Sequence, residues 1–185
     1  MKKRYFAIPI LAIALHFLLS NLLYFLVERL VLDVFHISPQ QFMKHSYWGE
    51  ILIYAVLILV FFTLYKLLWR KEISEPRTAT NFKDVLGSLV VGFGICGISG
   101  LWIMLAEQLP SLQKSVEAMN AGAENIAGGN AFGTFMIAVI AAPVVEEILF
   151  RGIVLRSIRK FAPAWGAILI SSVLFGVYHL NIVQA

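Results

Sequence analysis

Long apolar runs separated by short polar segments organise this chain. A membrane-spanning helix needs about 20 predominantly apolar residues, and five segments offer a run of that kind. Residues 5–27 are uncharged, and residues 51–69 are broken only by Lys66, near the end, where a long side chain can snorkel to the surface. Residues 85–106 form the third run, the fourth starts near Phe132, and residues 164–185 form the fifth. The first run follows Met1-Lys2-Lys3-Arg4 but exceeds the ~7–15 apolar residues of a signal peptide. It leads into Glu28-Arg29 and is read as a retained span. The pattern predicts an all-α, polytopic transmembrane helix bundle of about five spans. Residues 1–131 hold three of them, with their loops, and residues 132–185 hold a two-helix core.

Composition strengthens this picture. Of 185 residues, 59% are hydrophobic and 14% charged, against roughly 25% charged in ordinary soluble domains; the mean hydropathy is +0.81. The polar residues are too few to coat a soluble core this apolar, so the lipid bilayer is the expected partner. The net charge of +4 would suit nucleic acid if it lay along one face, but the basic residues sit at the ends of apolar runs, which excludes that class. Lysine and arginine are rich at the N-terminus, over 66–83 and over 151–160, and poor between the first two runs and over 107–131. This alternation predicts a multi-pass protein of the cell membrane with a cytoplasmic N-terminus. Cys96 stands alone and is read as a packing residue.

Ser88, Gly92, Cys96 and Gly100 recur every four residues and predict a groove for close helix packing in the third run. Residues 108–130 read as an external loop with one helical stretch over 112–119. No internal repeat or low-complexity tract is present.

The candidate chemistry lies in the fourth and fifth runs. Each ionised side chain at the bilayer centre costs about 2.5–3.5 kcal/mol on insertion scales, so Glu146, Glu147 and Arg151 are costly unless they pair or line a cavity. Glu147 and Arg151 are four apart with the acid first, the favoured order for a helical ion pair. Glu146 is rotated ~100° away and has no evident partner in its own helix. The bland readings are a charged helix end or a structural ion pair between helices. Phe175 and His179 share a face of the fifth run. A lone histidine in an apolar helix is more often a packing residue, but a turn at Phe161-Ala162-Pro163 changes its weight. Counted from Ala162, Glu146 lies 16 residues back and His179 17 forward, so in an antiparallel hairpin they reach nearly equal depth at ~1.5 Å per residue.

A desolvated glutamate is an effective general base for water, and a neighbouring histidine can position that water or stabilise an oxyanion. Together they suit hydrolysis of a peptide bond without a cofactor. Zinc is the competing idea, but catalytic zinc wants three protein ligands plus water. The chain offers at most Glu146, Glu147 and His179, and adjacent glutamates are poorly aimed at one ion.

Glu146, Glu147 and Arg151 match an EExxxR motif, continued by Gly152, and Phe175 and His179 match FxxxH. In motif and spacing the segment 132–185 resembles the CAAX prenyl endopeptidase and bacteriocin-processing family of intramembrane proteases (CPBP, or Abi). The resemblance implies that Glu146 activates water and His179 assists, with Glu147, Arg151 and Phe175 in support. It implies substrates that are prenylated proteins or membrane-associated peptides; some bacterial relatives confer bacteriocin self-immunity. The family also carries a later histidine followed by asparagine four residues on. Nothing after Asn181 supplies them, and His16, with Asn21 five residues later, does not match. The chain therefore reads either as part of a longer protein or as a short relative with an incomplete site.

The leading expectation is thus an intramembrane endopeptidase acting on a peptide or protein at the membrane. The alternative is a non-catalytic membrane protein of the same fold acting in self-immunity or partner binding. A transporter is a third class, disfavoured because the first three runs hold no acid at mid-depth.

Overall fold

The computed structural model describes residues 3–36, 38–73, 81–127, 130–181 and 183. Among them the regular structure is entirely helical. Helix α1 (Lys3–Arg29) passes into a π turn (Leu30–Val34); α2 (Pro39–Leu68) is followed by the short α3 (Arg70–Ile73) and by α4 (Phe82–Glu107). Helix α5 (Gln113–Ala127) follows a 3-10 turn at Pro110–Leu112. Residues 131–158 form one run of alternating α and π turns, here called α6, and α7 (Ala164–Tyr178) completes the chain's helices.

Among the described residues, three stretches are long and apolar enough to cross a membrane: Tyr5–Val34, Tyr47–Leu68 and Phe82–Glu107. Helix α7 is apolar but shorter, and α6 is interrupted by π turns. By this measure three of the expected five spans are supported, and the count of five is not confirmed.

Local chemistry sets several boundaries. Asn81 accepts a hydrogen bond from the Asp84 amide at 2.9 Å, and the Asp84 carboxylate accepts from the Asn81 amide at 3.1 Å. This capping box satisfies two otherwise orphaned donors at the start of α4. The Asn130 side chain likewise accepts from the Phe132 amide at 2.8 Å at the start of α6. Inside α6, Pro143 has no N–H to give the turn before it. The π turn Phe135–Ala141 ends two residues before it, with the Ala142 amide donating to Ile137. Proline and π turns are the common causes of such helix irregularities.

The core joins α1, α2 and α6, with α7 against them. Leu57 and Phe61 of α2 are buried with Val145, Leu149 and Ile153 of α6, which recur at helical spacing on one face; Ala12 and Ala167 fill gaps from α1 and α7. Two glycines let α2 and α6 approach. A Cβ at Gly133 would lie 2.6 Å from the Cβ of Tyr47, and one at Gly152 would lie 3.2 Å from the Tyr65 ring. These two contacts also show that α2 and α6 run parallel. Tyr5 stacks on Trp69 with centroids 6.1 Å apart, so α1 is antiparallel to α2. Phe6 meets Phe161 and His16 meets Tyr178, so α7 runs with α1. One end of the bundle therefore gathers basic groups: Lys160 pairs with Glu72 and lies 5.4 Å over the Trp69 ring, while Arg156 lies 5.1 Å over Tyr65.

Three expectations change. The stripe Ser88, Gly92, Cys96 and Gly100 is exposed, and Cβ atoms built at Gly92 and Gly100 would meet nothing within 4 Å. Among the described residues helix α4 packs through its last turns, where Ala106 meets Val116 and Val183, and the groove stays open. The external segment holds a longer helix than 112–119, Gln113–Ala127, and the apolar positions Leu112, Val116 and Met119 at its start pack with Ala106. Finally, α7 stops at Tyr178 instead of continuing to the end of the chain. Leu180 adopts a left-handed backbone with φ 53°, and the chain turns across to α4 and α5. There Asn181 Nδ2 donates to the Ser115 carbonyl at 2.9 Å and the Trp102 indole donates to the Val183 carbonyl at 3.1 Å. These tertiary bonds offset the cost of a left-handed non-glycine residue. Residues 182, 184 and 185, part of the expected fifth run, lie outside the described residues.

Candidate functional site

The EExxxR residues fall where α6 passes from an α turn (Ala142–Glu146) to a π turn (Glu147–Leu155). In a π turn the backbone bond spans five residues instead of four, and such turns occur often at functional sites. The change does not break the expected ion pair: Arg151 Nη1 donates to Glu147 Oε1 at 3.2 Å. Both side chains face outward, 75% and 58% exposed. Glu146 turns inward and is half-buried, and among the described residues it makes no ion pair or hydrogen bond. One acid is thus neutralised within its helix and the other is left to the bundle.

The hairpin turn forms where expected. The Lys160 and Phe161 amides donate to Ser157 and Ile158, and α7 begins after Pro163. Across it, the Phe150 ring meets Phe175 edge-on with centroids 4.9 Å apart and Tyr178 at 5.2 Å. Phe150 and Phe175 lie at nearly equal offsets from Ala162, as an antiparallel pair requires. Phe175 in turn contacts the His179 ring at 4.7 Å. His179 is the C-cap of α7 and is half-buried. Among the described residues no hydrogen bond joins it to Glu146; the Phe175 ring touches Phe150 of α6 and His179 alike.

A cavity of about 320 Å³ opens beside these rings, with Glu146, Glu147, Phe150 and Arg151 on the α6 wall and Ser171, Ser172 and Phe175 on the α7 wall. Ser171 is buried. The cavity thus holds the Glu147–Arg151 pair and one carboxylate outside that pair, Glu146, opposite hydroxyl groups and an aromatic ring, a setting that can hold and deprotonate water. Among the described residues no group of three or more His, Cys, Asp and Glu side chains comes together as a metal cage would require.

Two further polar groups lie near Glu146, and two more adjoin those. Tyr54 of α2 and Tyr178 of α7 are both within electrostatic range of it, and Tyr54 is within range of Glu50. The Tyr178 hydroxyl lies 3.2 Å from Nδ1 of His16, which is buried in α1. Of these, Glu50 sits just outside the sequence-based boundary of the second run, but the helix extends back to Pro39 and includes it. The tyrosines carry no motif. Their spacing of four from Glu50 (Tyr54) and three from Phe175 (Tyr178) is the signal that could have placed them on site-facing stripes.

Residues 128–185 match the family model of Rce1-like proteins, described as type II CAAX prenyl endopeptidase Rce1-like. The match covers a little under a third of the chain and contains Glu146, Glu147, Arg151, Phe175 and His179, so the resemblance carried by the two motifs holds over this segment. No curated protein and no solved structure matches the chain.

Proposed function

We propose that this chain is an intramembrane endopeptidase of the CAAX prenyl type, with Glu146 as the base for water and His179 as its assistant. The observation that carries the reading is the different fate of two adjacent acids. Both line the same cavity, but Glu147 is paired with Arg151, whereas Glu146 makes no ion pair or hydrogen bond among the described residues. In the proposed reaction Glu146 takes a proton from water as the oxygen adds to the scissile carbonyl carbon. The oxyanion so formed is stabilised by the His179 imidazole. Collapse of this intermediate breaks the C–N bond, and Glu146 returns the proton to the leaving amine. The residues need only flank the same carbonyl, so a direct Glu146–His179 bond is not required. Arg151 holds Glu147 and keeps it from competing for the proton.

The substrate is a peptide or a prenylated protein tail that enters from the lipid. Helices α6 and α7 act as the fourth and fifth spans of a cell-membrane protein, with the basic end of the bundle in the cytoplasm. Glu146→Gln in the full chain, purified in detergent and offered a prenylated CAAX peptide, is expected to lose cleavage by a factor of 10² or more, the usual scale for a general base. Cleavage at the parental rate would remove Glu146 from the mechanism.

A further inference from the structure

The mechanism above leaves unused a buried histidine of α1. His16 lies in α1, far in sequence from both motifs, and is 7% exposed. Its ring packs against Phe61 at 5.7 Å and Tyr178 at 5.4 Å. The Tyr178 hydroxyl is 3.2 Å from Nδ1 and 3.4 Å from Nε2. His16 also lines a cavity of about 370 Å³ between α1 and α2, together with Glu50 and Tyr54.

A histidine with one hydrogen bond in an apolar helix is ordinarily a packing residue. Here its partner decides otherwise. Tyr178 precedes His179, touches its ring at 5.4 Å and lies within electrostatic range of both Glu146 and Tyr54. Four helices thus bring polar groups close together inside an apolar bundle, where each is costly unless it serves a site.

We propose that His16 is a positioning residue of the Glu146 site and acts through the hydroxyl of Tyr178. The inference rests on the function proposed above. An imidazole nitrogen that donates to the phenolic oxygen leaves the Tyr178 O–H free to turn toward Glu146 and its water. One that accepts draws that proton toward α1. Either way the imidazole fixes the direction of the Tyr178 hydroxyl, and with it the hydrogen bonds open to the attacking water.

The experiment is a double-mutant cycle in the full chain, in lipid nanodiscs, with a prenylated CAAX peptide and Glu146→Gln as reference. His16→Phe keeps an aromatic ring but removes the hydrogen bond. It is expected to lower kcat about tenfold, the scale of one lost hydrogen bond, with KM within about twofold. His16→Gln, which can still bond Tyr178, recovers most of that loss. Tyr178→Phe resembles His16→Phe, and the double variant is no worse than either single one, because both changes remove the same interaction. If His16→Phe does not fold, His16→Gln and Tyr178→Phe complete the comparison. Losses that multiply in the double variant, or a full-rate His16→Phe beside an inactive Glu146→Gln, overturn the positioning role alone. Full activity in Glu146→Gln overturns the function proposed above. In that case a shift of the His16 ¹⁵N imidazole signals in Tyr178→Phe leaves the pair as packing only, and the inference falls with the function.

Discussion

Glu146 and Glu147 are adjacent in the chain and differ in everything that decides reactivity. The Arg151–Glu147 pair is exposed on the surface of the bundle. In water such a pair contributes about 0–1 kcal/mol, but against lipid an unpaired charge is far more expensive. Arg151→Leu alone is therefore expected to lower the amount of folded protein in the membrane more than Glu147→Leu/Arg151→Leu together, as read by quantitative immunoblot and size-exclusion profile. Equal losses in the two variants would show that the pair carries no stabilising role. Glu146→Leu leaves no charge behind and is expected to keep its level while losing cleavage.

At the scale of elements, the approach of α2 to α6 depends on a missing side chain. Gly133 admits Tyr47 so closely that an added methyl would sit 2.6 Å from the tyrosine Cβ, a contact that only a shift of one helix can relieve. Gly133→Ala is expected to cost about 1–3 kcal/mol, as for other overpacked sites, and to lower the midpoint of thermal unfolding in detergent. An unchanged midpoint would mean that α6 can shift there without loss. Gly152→Ala, at 3.2 Å from the Tyr65 ring, should cost less, because a ring edge gives way more easily than a Cβ fixed to the backbone. The same spacing holds the α turn bearing Glu146 between α2 and α7.

For the whole molecule, the directions of α1, α2, α6 and α7 place Tyr5, Trp69, Glu72 and Lys160 at one end. That arrangement agrees with the alternating lysine and arginine content of the loops. With Cys96→Ser as background, Arg159→Cys is expected to react with a membrane-impermeant maleimide only from the cytoplasmic side, and Glu117→Cys only from outside. Both side chains are exposed, so a reversed labelling pattern would invert the proposed topology. The open stripe of α4 makes no contribution to this end-to-end order.

What the sequence determined by itself follows from local rules. Apolar length reveals membrane helices, a four-residue offset pairs Glu147 with Arg151, and Pro163 after a polar break sets the hairpin that lays Phe150 against Phe175. The family resemblance likewise rests on residues within one segment. What only the tertiary structure decided depends on contacts between distant parts of the chain. The stripe of α4 has the right residues for packing, yet whether a helix lies on it is a property of its neighbours. Helix α7 ends at Tyr178 because the bonds from Asn181 to Ser115 and from Trp102 to Val183 draw the chain aside, although its residues remain apolar beyond that point. Spacing alone offered His16 no partner, since Tyr178 lies 162 positions away. Hydropathy and period report what one helix prefers; which polar groups meet inside the bundle is fixed by how the helices cross.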